Sequence, residues 1–418
     1  MLKKNICALV LVLSLLTVLA GCNKPEPPFT CTDPLGCVDV APGESIQIGV
    51  LQAISGDVAP LGQAQIRGLE LALDKRNEKL LDHPVSLQIE DTGCTAEGGA
   101  NAALKIIANP RTVAIFGTTC SGAAATAAKA MSNAGLTMVS GNNSAPFLTS
   151  IAGRPAPNWQ DGYFRTAQNE ENAGKAAADY AYLNLGLRRA ATINDNDIYT
   201  KGLTESFKNA FVELGGKVVL DTAINKGETQ MLPVLTAVIN SRADLLFFPL
   251  FQPEGNHILF QAQKLAALQN TLLISDGALI EKTFLTAVGE AARGMCFVGP
   301  VQPSGPVVNL LALAYREKYN EEPVVSYYLN GYDAADLLFH AIEQAAILDR
   351  NGILHIGRRK LRDTLYATKT FKGVTGVLSC DQFGDCGRSA FHVLRLDDPA
   401  QGLKGLEANI VFFDDAQK

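Results

Sequence analysis

Histidine is scarce in this chain, five residues in 418, and there is one tryptophan and no Cys-x-x-Cys pair. Without clustered histidines or paired cysteines a zinc site is not expected, and no other metal or cofactor is indicated. The HExxH, Gly-x-Ser-x-Gly and Walker patterns are missing, as is a Gly-x-Gly-x-x-Gly following a strand. No histidine lies in a strand-end loop where it could serve as a base, so a serine there lacks the partner a nucleophile needs and an enzyme is not expected. Basic residues do not predominate. The formal net charge of −6 speaks against nucleic acid or an anionic membrane surface as a partner. The apolar run at the N-terminus, Ile6–Leu19, is too short to cross a bilayer comfortably.

That run reads instead as the centre of a secretory signal. Lys3 and Lys4 precede it and Leu19-Ala20-Gly21-Cys22 follows, the pattern of a lipoprotein cleavage site. Residues 1–21 are expected to be removed and Cys22 to carry a lipid. The protein is then extracytoplasmic and anchored to a cell membrane, in the periplasm or on the outer surface. Residues 22–44 are proline-rich and read as a tether. Of the nine cysteines, Cys7 leaves with the signal and Cys22 is lipidated, and the rest meet an oxidising compartment. Three local disulfides are expected, Cys31–Cys37, Cys94–Cys120 and Cys380–Cys386. Cys296, in an apolar context, is expected to be a buried, inert thiol.

From Ile46 onward apolar runs alternate with helical periodicity. Ile46–Gln52, Pro84–Glu90, Val113–Phe116 and Leu136–Val139 read as strands, most of them apolar runs, the signature of a parallel sheet covered on both faces. A helix carrying Ile66, Leu69, Leu73 and Leu80 follows the first strand. A pattern of the same kind restarts at Ala190–Ile193 and continues through Lys217–Asp221, Ala243–Leu250 and Thr271–Ser275. The tail, with Gly376–Cys380, Phe391–Leu396 and Ile410–Phe413, reads as antiparallel strands. Extended pieces at Tyr163–Thr166 and Val298–Pro303 are candidate crossings between the two halves. Between Val113 and Pro146 a strand runs through Gly117-Thr118-Thr119-Cys120-Ser121 into an alanine-rich helix, with Ser121 at the expected N-cap. A second polar loop, Asn142-Asn143-Ser144, follows the next strand. Helix N-termini carry unpaired N–H groups and partial positive charge, and ligands of open α/β sheets bind at this edge.

In their order, several short motifs resemble the branched-chain amino acid (Leu/Ile/Val) binding proteins of ABC transporters. They are Ser55-Gly56 with Gly62; Gly117 with Cys120-Ser121; Val139 to Pro146; Phe164-Arg165; Asp195 to Gly202; Ala292-Arg293-Gly294-Met295; and Tyr332-Asp333-Ala334-Ala335. The resemblance implies an α/β type I periplasmic-binding fold. It has two Rossmann-like lobes with mainly parallel sheets, joined by a hinge of two or three crossings. Residues 45–164 and 300–374 are expected to form the first lobe, and 165–299 with 375–418 the second. The implied ligand is a small aliphatic amino acid. Ser121 is expected to meet its carboxylate, Ser144 its polar end and the Asn142 carbonyl its ammonium. Asp276 is expected to pair with the ammonium from the second lobe and Tyr199 to close over the ligand, with Leu61 and Phe251 along the cleft. Implied partners are the permease and ATPase of an ABC importer. The alternatives are an amide-, urea- or aromatic-acid-binding member of the same fold, or a ligand sensor with no role in transport.

Overall fold

Strands that are apolar on both faces need helices on both faces, and the chain builds two sheets of this kind. The computed structural model describes residues 29–323 and 325–415. The expected signal, residues 1–21, and Cys22 lie outside them. Residues 29–32, taken by themselves, have no regular secondary structure, and the chain from Asp33 on forms one compact unit.

The first sheet contains β1 (Ile46–Gln52), β2 (His83–Asp91), β3 (Thr112–Gly117), β4 (Met138–Ser140) and β5 (Tyr163–Arg165). They lie in the order β2-β1-β3-β4-β5 and all pair in parallel, with Lys79–Leu80 added antiparallel at the β2 edge. The helices α1 (Ala59–Asp74), α2 (Ala96–Ile107) and α3 (Ser121–Asn133) connect them. Next come α4 (Glu171–Asp179), β6 (Arg189–Asn194), α5 (Ile198–Glu213) and β7 (Lys217–Ala223). With β8 (Leu245–Phe247), β9 (Leu272–Asp276) and β10 (Cys296–Pro300) they begin a second sheet, ordered β7-β6-β8-β9-β10 and again parallel. The tail strands β11 (Ala390–Arg395) and β12 (Ile410–Asp415) extend it antiparallel beyond β10. Before them α6 (Tyr328–Ala345) returns to pack along α1. The approach is close enough that a Cβ on Gly68 would stand 2.3 Å from the Tyr328 carbonyl oxygen, so this position admits only glycine. The chain passes between the sheets after Arg165, after Pro300 and again between Leu378 and Ala390.

Several local expectations are corrected. Helix α1 ends at Asp74, and Leu80 sits in the edge strand. The cap of α3 is Cys120, and Ser121 is the first helical residue. The Cys120 sulfur makes no cap hydrogen bond because it is bridged to Cys94. Only Leu245–Phe247 of the apolar run Ala243–Leu250 is regular strand. The proline-rich segment ends in a strand, since Cys37–Val40 pairs antiparallel with Leu354–Gly357. Cys380–Cys386 is bridged, Cys31 and Cys37 are each disulfide-bonded, and Cys296 is a buried free thiol.

Candidate functional site

The carboxyl ends of β3, β4, β6 and β9 bring their loops together. They enclose a cavity of about 20 Å³ lined by Leu61, Thr119, Ser121, Asn142, Ser144, Tyr199, Phe251, Ala278 and Tyr327, on the scale of a single water. Six of the residues picked from the sequence (Leu61, Ser121, Asn142, Ser144, Tyr199 and Phe251) share this lining. The seventh, Asp276, lies behind it, buried, and accepts a hydrogen bond from the Tyr199 hydroxyl. Tyr199 and Phe251 contact each other, with ring centroids 5.2 Å apart. Wider grooves exist, one of about 730 Å³ beside Leu71, Val307 and Leu310, but its charged groups Asp74, Glu78 and Lys318 are exposed.

The polar groups divide into donors and acceptors. Ser121 Oγ accepts from the Ala145 N–H at 3.3 Å, which leaves its own proton to donate beside the first N–H groups of α3. The Ser144 hydroxyl donates to Glu170 Oε2 at 2.8 Å, and that of Tyr199 donates to Asp276. The Asn142 side chain donates to the Thr119 carbonyl at 2.9 Å, and its Oδ1 is buried with no hydrogen bond. The lining therefore holds a proton donor at Ser121 and lone pairs at Ser144, Tyr199 and Asn142 Oδ1, with two acids behind these acceptors. The lobes also touch across the cleft, where Lys226 Nζ donates to the Cys94 carbonyl at 2.9 Å.

Glu170 and Tyr327 were not identified as site residues from the sequence. Glu170 precedes α4 in a polar stretch, Gln168-Asn169-Glu170-Glu171, that looks solvent-exposed. It is buried because its N–H donates to the Ser144 carbonyl at 3.0 Å. Its pattern carries no signal, since its burial arises from a chain crossing. Tyr327, just ahead of α6, also lines the cavity.

Burial raises both acids. Desolvation, with repulsion from Asp276, pushes Glu170 to about 8, although Ser144, Arg165 and Tyr199 act to lower it. Desolvation pushes Asp276 to about 7, opposed by the Tyr199 hydroxyl and the Ala278 N–H. Both values exceed those of the unfolded chain, so the folded state holds protons that the unfolded state has released, and stability falls as pH rises. Between pH 6.5 and 8 the loss is expected to be roughly 2 kcal/mol, or a few degrees in melting temperature. Buried His392, held down to about 4, opposes the trend slightly at the lower end of this window, where the unfolded imidazole is half protonated, by about 0.4 kcal/mol. Thermal scans without ligand at the two pH values check this, and a flat or rising curve would contradict it.

The chain matches the periplasmic binding protein family over residues 45–393. A Leu/Ile/Val-binding protein of Rhizobium johnstonii is 28% identical over 303 residues, covering 72% of this chain and 79% of the relative. Among solved structures, a leucine binding protein from Thermotoga maritima is similar with a TM-score of 0.74 at 25% identity, covering 85% of this chain and 96% of that one. A solute binding protein from R. palustris in complex with benzoate gives a TM-score of 0.72 at 21% identity, covering 88% of this chain and 96% of that one.

Proposed function

The chain belongs to the periplasmic binding protein family, whose members bind solutes for ABC transporters outside the cytoplasm and are not enzymes, and on that footing we propose that it captures a small aliphatic α-amino acid between its lobes. The observation that carries this reading is that the lining holds both a proton donor and a set of acceptors backed by acids. Ser121 and the start of α3 suit a carboxylate, while Ser144, Tyr199, Asn142 Oδ1 and the charge of Asp276 suit an ammonium. Leu61, Phe251 and Ala278 supply apolar contact, and no charged side chain is among the lining residues to hold a charged ligand side chain. The names of the relatives, Leu/Ile/Val-binding and leucine binding, point the same way. A cavity of about 20 Å³ is too small for an amino acid, so entry requires the lobes to part. Closure is then favoured because the ammonium meets Asp276 only when the lobes come together.

The lipid anchor on Cys22, residues 1–21 as its signal, and delivery to a permease and ATPase are part of the same proposal. An aromatic acid, as bound by the R. palustris protein, offers a carboxylate for Ser121 but no ammonium for the acceptors backed by Glu170 and Asp276. Isothermal titration with leucine, isoleucine, valine, alanine and phenylalanine, beside urea, short amides and benzoate, is expected to give heat with an aliphatic amino acid. Binding of an uncharged amide alone, with none from any amino acid, would overturn the assignment.

A further inference from the structure

We propose that Glu170, acting through Ser144, helps make the part of the lining formed by Ser144, Tyr199 and Asn142 accept hydrogen bonds only, so that the site takes a primary ammonium and rejects isosteric 2-hydroxy acids. This rests on the amino acid reading above and adds a positioning residue to it.

A serine hydroxyl has one proton. That of Ser144 is committed to Glu170 Oε2 at 2.8 Å, and that of Tyr199 to Asp276. Neither acid is among the cavity-lining residues. Toward the ligand Ser144 and Tyr199 therefore keep lone pairs, and Asn142 Oδ1, buried with no partner, adds a third acceptor. An ammonium has three protons to give to these acceptors. A hydroxyl has one, and a carboxylate or carbonyl oxygen has none. Buried acceptors left without a donor cost far more than the bond they would have made is worth, and this is how a site rejects an analogue of the same shape.

The charge count agrees. The titratable groups acting on Glu170 are Asp276 from β9, Tyr199 from α5, Arg165 from β5 and, just before α6, Tyr327. Arg165 is the one cation among them, and its Nε is bound to Asp385 at 2.5 Å. The cation acting on Glu170 is thus already paired, and burial holds a proton on the pair of acids near neutral pH. An arriving ammonium displaces that proton, which leaves to buffer.

Glu170→Gln keeps the shape and reverses the bond. The amide donates to Ser144 Oγ, and the serine proton turns to the cavity. Titration of L-leucine against its 2-hydroxy analogue, and of L-alanine against lactate, reads the preference for the amine. In the native protein that preference is expected to be large, and in Glu170→Gln it should fall by roughly 10- to 100-fold. Leucine titrated at pH 7.5 in phosphate and in Tris, buffers of different ionisation enthalpy, should show proton release in the native protein and less in the variant. Ser144→Ala, which removes the hydroxyl and leaves Glu170, should lower the same preference and serves if the first variant does not fold. If the native protein binds the amino acid and both variants keep its preference and proton count, the inference fails and the proposed function stands. If the native protein binds neither amine, both fail.

Discussion

Asp276→Asn is expected to weaken amino acid binding by about 100-fold, roughly 3 kcal/mol, the scale seen when one member of a buried, hydrogen-bonded charge pair is removed. The substitution is nearly isosteric. The asparagine oxygen still accepts from Tyr199 and from the Ala278 N–H, two of the three bonds that hold the aspartate in place, the third being a longer one from the Ser275 hydroxyl at 3.3 Å. What disappears is the charge. Burial disfavours that charge in the protein alone, since it lifts Asp276 to about 7, so removing it is expected to raise the melting temperature at pH 8 while affinity falls. Opposite signs separate lost recognition from lost folding. Titration calorimetry and thermal scans on the same preparation make the measurement. An affinity within about threefold of the native value would show that the ammonium is countered elsewhere.

Most of the site was legible because it sits at strand ends, which apolar runs mark well. Thr112–Gly117 ends where Thr118-Thr119-Cys120-Ser121 begins and Met138–Ser140 just before Asn142-Asn143-Ser144, and parallel pairing carries both ends to the same edge. Ser121, Asn142, Ser144 and Tyr199 follow from this with no knowledge of tertiary contacts. The details that failed depend on such contacts. Periodicity carried α1 to Leu80, but the positive φ of Asn77 and Glu78 breaks the helix and turns the chain back as an edge strand. Leu245–Leu250 is apolar because it is buried, and burial alone does not make a strand. Glu170 was illegible for a different reason. A glutamate among polar residues ahead of a helix normally faces water. Here the backbone of the crossing binds the loop of Ser144 and carries the side chain beneath it. Local pattern gives no measure of that distance, and the proposed selectivity of the site depends on it.

The same crossing explains why Arg165→Met is expected to cost about 3–5 kcal/mol, the penalty for leaving one partner of a buried ion pair alone. Arg165 is fully buried. Its Nε binds Asp385 at 2.5 Å, and its other nitrogens reach the carbonyls of Asn143 at 3.3 Å and Ala145 at 2.7 Å and the Thr149 hydroxyl at 2.5 Å. Its backbone is tied as well. The Arg165 N–H donates to the Gly384 carbonyl, and the Cys386 N–H donates to the Arg165 carbonyl, each at 2.9 Å. One residue therefore joins the first crossing, the turn closed by Cys380–Cys386, and the loop that carries Asn142 and Ser144. Methionine fills much of the volume but satisfies none of these acceptors. Asp385 would keep only Asn169 at 3.1 Å and a long contact to Ser150 at 3.4 Å. Urea unfolding should show the full loss. Adding Asp385→Leu should recover part of it, because an apolar pair removes the stranded charge. The double variant should still bind an amino acid more weakly than the native protein at a temperature where both are folded, since the carbonyls of Asn143 and Ala145 no longer fix the loop. Native affinity in the double variant would mean that the loop is held without the arginine, and that the ion pair serves stability alone.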